Sequence, residues 1–190
     1  MTRLPADVIK AIERQAPKLL KKPFNKEFKK KFEDLKAKMI KEFLSHPVTM
    51  EIKSGPSATN MSGTLNGVTN LFAFIGFDQG DQPIQPILQI LEGINYTYAS
   101  EAKIGVTYTV NIPEAKEIFA VTPLPYVGGR SWAKGIETGI SGLGYLLRKN
   151  SGRSGAAIQS RNQVRTGRFQ NTPYISALIN KYKKEFKQLK

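Results

Sequence analysis

Between Asn25 and Leu44, Phe28, Phe32, Leu35, Met39 and Phe43 recur at steps of four, three, four and four, with lysines filling the positions between them. Only an α-helix brings such a series onto one face, so this stretch has to be a basic helix with one apolar stripe. Asn25 suits its N-cap, and His46-Pro47 ends it because the residue before a proline avoids helical geometry. Upstream, residues 5–20 read as a separate short helix. Pro5 lies in its first turn, Val8, Ile9, Ile12, Leu19 and Leu20 are its apolar members, and Pro17 weakens or kinks its end.

After His46 the period changes. Val48, Met50 and Ile52 alternate with polar neighbours, the rhythm of a half-buried strand. Residues 54–63 are a loop by composition. The unbroken apolar run Leu71 to Phe77 has strand length, and DQGDQP behind it is a turn. Ile84, Leu88 and Leu91 suit a short buried helix. Tyr96 to Ala99 and Gly105 to Ile112 form a hairpin joined through SEAK, with Val106, Tyr108, Val110 and Ile112 on one face and Thr107, Thr109 and Asn111 on the other. Ile118 to Val121 reads as a last strand before the turn region TPLPYVGGR. Trp132, Ile136, Ile140, Leu143 and Leu147 have helical spacing, and the glycines at 135, 139, 142 and 144 either allow close helix packing or leave the segment loosely helical. Thr172 as N-cap and Pro173 at the first position open a final helix with Ile175, Leu178, Ile179, Tyr182 and Phe186 inward. The grouping is α+β, a small antiparallel sheet packed with helices. Residues 1–147 form the core domain, 148–171 a basic arm or loop, and 172–190 a C-terminal helix.

Charge is partitioned along the 190 residues. Residues 1–45 carry 13 Lys/Arg against 6 acids, residues 46–128 carry 3 against 7, and residues 129–190 carry 13 against 2. Two basic ends flank an acidic middle, for a net charge of +14. An anionic partner, nucleic acid or an acidic protein surface, fits such a distribution; so does simple solubility. The run from Thr138 to Lys184 holds no acid at all. In it Arg148, Lys149, Arg153, Arg161, Arg165 and Arg168 follow one another, and arginine grips carboxylate and phosphate through two parallel hydrogen bonds. These residues, with Phe169 and Tyr174 as apolar anchors, are the candidate partner-binding set.

Catalytic chemistry has little to work with. There is no cysteine, which excludes disulfides, thiolate zinc sites and thiol nucleophiles. His46 is the only histidine and reads as a helix-terminal or surface residue. Asp78 and Asp81 suit a turn rather than a calcium loop. Glu114 and Glu117 can share a helical face, and Glu137 reads as a salt-bridge partner for an arginine. The glycines of VGGRSW, SGRSG and RTGR lack the spacing of a phosphate loop. The chain therefore reads as a non-enzyme without metal or cofactor. The N-terminus lacks the apolar core of a secretory signal and no segment has membrane-span length, which suggests a soluble intracellular product.

Three stretches, SGTLNGVTNLFAFIGF (62–77), PYVGGRSWAKGIETG (125–139) and GRFQNTPYISALINKY (167–182), together with the order of segments, resemble the neck and tail-completion proteins of tailed bacteriophages. The likeness spans roughly 70–180. It lies in a small-residue turn before a strand, an aromatic and glycine-rich turn, and a terminal helix introduced by an aromatic and a proline. The lysine-rich N-terminal helix and the arginine segment depart from that pattern. The resemblance implies a virion protein assembled in the host cytoplasm, forming a homo-oligomeric ring in the neck that joins head to tail. Portal-side, neck or tail proteins are its implied partners, and DNA is possible in the channel. The segment 150–171 would then lie across a neighbouring subunit and order on assembly. A non-catalytic nucleic-acid-binding protein, using Lys29 to Lys31 and Arg161 to Arg168, is the alternative.

Overall fold

The structure, a computed structural model, describes residues 5–65, 69–102, 105–125, 127–138 and 172–189. One helix dominates it. α1 runs without interruption over Ala6–Ser45, so the two helices read from sequence are a single element. Pro17 and Pro23 both lie inside it, and Asn25 is an interior residue, not a cap. Each proline removes one backbone donor and crowds the preceding turn. Lys21, Lys22, Lys26 and Glu27 around Pro23 are good helix formers, and their preference carries the helix through.

At His46 the backbone turns extended, with φ −65° and ψ 132°, and Pro47 starts α2 (Pro47–Lys53) at once. The His46 ring caps this second helix, Nδ1 accepting the Val48 N–H at 3.3 Å. The strand expected over 48–53 is therefore a helix. Its buried residues are Val48, Thr49, Glu51 and Ile52, a spacing of one, two and one that only a helical face provides, while Met50 points to solvent.

The second expected strand is also helical. α3 (Leu71–Ile75) is bounded by Asn70, whose Oδ1 accepts the Ala73 N–H at 2.9 Å, and by Gly76 at φ 92°. The positive φ is the left-handed stop that ends a helix and favours glycine. α4 (Gln85–Glu92) follows as expected and buries Ile87 and Leu91. β1 (Asn95–Ala102) and β2 (Gly105–Asn111) form the expected antiparallel hairpin, pairing Tyr96 with Val110 and Tyr98 with Tyr108, with a register shift between Tyr98 and Ser100. Its half-buried face carries Val106, Tyr108, Val110 and Ile112.

The expected strand over Ile118 to Val121 is instead part of α5 (Ala115–Ala120), opened by a reciprocal capping box in which the Glu114 and Glu117 side chains each accept the other's backbone N–H. A short ribbon of β3 (Pro123–Leu124) and β4 (Val127–Ser131) leads into α6 (Trp132–Thr138). The last helix, α7 (Ile175–Lys187), buries Ile175, Leu178, Ile179, Tyr182 and Phe186, as the periodicity predicts. The fold is α+β, with two separate two-stranded ribbons among the described residues. A single apolar cluster joins Phe32, Met39 and Phe43 of α1 to Ile52, Ile75, Leu91, Ile118, Trp132 and Tyr182, so α7 completes the core that the earlier elements begin.

Two carboxylates fasten helix starts from a distance. Glu51, fully buried, accepts the Leu71 N–H on Oε1 and the Ser62 N–H on Oε2, each at 2.7 Å. Glu137 does the same for α7: one oxygen accepts the Ser176 N–H and the other its hydroxyl, both at 2.6 Å. Glu137 therefore holds a helix start, and α7 begins two residues past the expected Pro173 start.

Candidate functional site

Of the residues singled out as partner-binding, Arg148, Lys149, Arg153, Arg161, Arg165, Arg168 and Phe169 lie outside the described residues. Tyr174 is described, and it is interior. Its side chain is 3% exposed, its hydroxyl shares a 2.8 Å hydrogen bond with Thr49 Oγ1, and its ring lies among Phe43, His46 and Trp132. Burial pushes its phenol well above the usual range. Tyr174 thus links α2 to the start of α7 inside the core, which is why it is not a surface anchor.

Beside it, Glu42, His46, Lys181 and Leu178 line a cleft of about 220 Å³. Glu42 accepts from Lys181 Nζ at 2.6 Å and from the Tyr182 hydroxyl at 2.7 Å, and those two bonds hold its carboxyl below the ordinary carboxylate range. Burial lowers the His46 imidazole, while the Pro173 carbonyl and Glu42 pull the other way. Glu42 of α1 bonds Lys181 and Tyr182 of α7, so the pair of contacts works as a clasp between the two helices. Asp78 and Asp81 form the expected turn, the Asp81 carboxylate accepting the Asp78 N–H at 2.8 Å.

A second concave patch lies where the hairpin meets α1. Tyr96, Tyr98 and Tyr108 face Lys21 and Asn25, with Lys21 Nζ 4.4 Å from the Tyr98 ring centre and Phe28 stacked on Tyr108 at 4.2 Å. Burial raises the Tyr108 phenol, with Tyr96 adding to the shift. Lys29, Lys30 and Lys31 are exposed on the neighbouring turn, Lys31 standing 3.7 Å from Glu27.

The third surface is the first half of α1 itself. Val8, Ile9 and Ile12 are 37%, 43% and 48% exposed. At about 100° per residue around a helix, these three centre roughly 170° away from the core-facing series Phe28, Phe32, Leu35, Met39 and Phe43. One helix therefore carries two apolar stripes on opposite sides. The later stripe is buried and the earlier one faces solvent. Over the forty residues the two largely cancel, leaving α1 with little net amphipathicity. Sequence spacing contained this signal, but it stays hidden while the two stripes are assigned to separate helices. No protein-family model, curated protein or solved structure matches the chain.

Proposed function

We propose that this protein is a non-catalytic assembly subunit, a ring-forming structural protein of the neck or tail-completion region of a tailed-phage virion, joining head to tail through basic surfaces. The observation that carries the reading is α1, gripped by the core along its second half while its first half holds an apolar stripe out to solvent. Apolar side chains grouped in this way serve a partner surface. The stretches 125–139 and 167–182, which resemble phage neck proteins, suggest the kind of assembly, whereas the likeness of 62–77 loses its support because Leu71–Ile75 is a helix and not a strand. The acid-free run after Thr138 supplies arginines suited to acidic partners.

Native mass spectrometry and negative-stain imaging of the purified chain test the reading. A closed assembly of uniform copy number is expected, and a chain that stays monomeric under all assembly conditions overturns it. Replacing Arg153, Arg161, Arg165 and Arg168 together by glutamine is expected to abolish head–tail joining. Particle formation that is unaffected would remove those arginines from the mechanism.

The tyrosine patch favours a second reading, a nucleic-acid-binding protein. Tyr98 is exposed beside Lys21, and base stacking on aromatic rings flanked by lysines is a known mode of single-strand binding. A salt titration separates the two. Affinity well tighter than the roughly 10⁻⁴ to 10⁻⁶ M of non-specific binding at physiological salt supports the second reading, and binding confined to low salt excludes it.

A further inference from the structure

We infer that the exposed first half of α1 is the inter-subunit contact, and that it docks head-to-tail on the acidic middle of a second copy of this chain. The contact takes from the connector reading its premise that copies assemble; how they touch follows from the two stripes and the charges beside them.

Val8, Ile9 and Ile12 face away from their own core, so an intramolecular partner for them would have to come round the far side of the helix. From the contact of Lys21 with Tyr98, α1 continues for fifteen residues to Ala6, about 22 Å at 1.5 Å per residue. That length reaches onto a neighbouring molecule.

Charge decides which surface it meets. Residues 5–31 carry nine Lys/Arg against three acids, so pairing two of these extensions side by side sets like charge against like. An isologous dimer through α1 is disfavoured for that reason. With Glu51 buried, the described residues of 46–125 expose five acids against Lys53 and Lys116, the latter paired with Glu114 at 2.7 Å. Asp78, Asp81, Glu92, Glu114 and Glu117 are exposed there, on the turn before α4, at the end of α4 and at the start of α5, and α4 packs against α5. The exposed Val121 follows Glu117 by four residues and offers an apolar point within the acidic surface. An apolar stripe with basic flanks on one molecule thus complements an acidic surface on the next. A contact between two different faces repeats, and a repeating heterologous contact closes into a ring or grows as a filament.

Sedimentation velocity of the full chain over a wide concentration range provides the test, with circular dichroism showing that each variant folds. Ile9→Asp with Ile12→Asp changes only exposed positions and is expected to weaken self-association by on the order of a hundredfold or more, from the lost burial of two isoleucines. Asp78→Lys with Glu92→Lys is expected to have a comparable effect from the other side. The deciding measurement mixes the two variants. A head-to-tail contact can form once between them, giving a capped dimer and nothing larger, whereas an isologous contact through α1 gives no such dimer. Wild-type assembly that survives Ile9→Asp/Ile12→Asp overturns the docking mode and leaves the connector reading standing. A wild-type chain that never self-associates overturns both. Binding of a monomeric wild type to anionic phospholipid vesicles, lost in the same double variant, assigns the stripe to a membrane surface and also refutes the contact.

Discussion

Glu51 offers the sharpest test of how this core is held. Its carboxylate is fully buried, and each oxygen receives one backbone N–H, from Ser62 and from Leu71, at 2.7 Å. A hydrogen bond to a charged group contributes about 1.5–3 kcal/mol, and a buried donor left unpaired costs about 1–3 kcal/mol. Glu51→Ala orphans both donors and opens a void, so a loss of about 3–5 kcal/mol is expected. That is a large fraction of the roughly 5–15 kcal/mol a domain possesses. Glu51→Gln keeps the volume but presents an NH₂ group to one of the two donors. It should cost about 2–3 kcal/mol, less than alanine and well above zero. Urea unfolding followed by circular dichroism measures both, with an unchanged slope showing that the unfolded state is not altered. The neighbouring exposed Met50→Gln is the control and should stay within about 0.5 kcal/mol of wild type. A Glu51→Gln variant as stable as wild type would refute the claim that both oxygens act as acceptors.

Three further outcomes follow from the other contacts. Burial lowers the His46 imidazole in the fold, so its contribution to stability should be full above the usual imidazole range and decline as pH falls below it. Glu42, lowered by its bonds to Lys181 and Tyr182, extends the decline into the carboxylate range, and urea midpoints across pH with His46→Asn as comparison should show the His46 part of the slope disappear. Glu137→Gln removes one acceptor from the start of α7 and should cost about 1–3 kcal/mol, read by thermal unfolding. Pro23→Ala restores a backbone donor within α1 and should slow amide exchange through the turns around it, relieving up to about 3 kcal/mol of local penalty, with little change in the global midpoint because Pro23 is exposed.

The sequence was most legible where one pattern ran long enough to exclude its rivals. The stripe from Phe28 to Phe43, the alternation in β2 and the inward series of α7 each run for about three periods or more, and each stands. Short runs misled. Val48, Met50 and Ile52 alternate, yet with Pro47 at a helix start and His46 before it the local geometry is helical, and the interior positions fall to Thr49 and Glu51 because both have buried partners. The apolar run at Leu71 fits strand or helix equally; the signals that decide it are Asn70 in front and Gly76 behind. The spacing of Glu114 and Glu117 fits one helical face, but by itself it does not reveal the reciprocal cap that starts α5. Tyr174 reads as an anchor because it flanks the arginine segment, and nothing local reveals that its hydroxyl shares a hydrogen bond with Thr49, far along the chain.

The Glu51 carboxylate is taken up by two backbone amides, and the Glu137 carboxylate by the amide and the hydroxyl of Ser176. In a chain with 15 acids against 29 Lys/Arg, anions used this way do little to shield the exterior. The net charge stays at +14, so the molecule should hold to a cation exchanger at neutral pH and be released by salt.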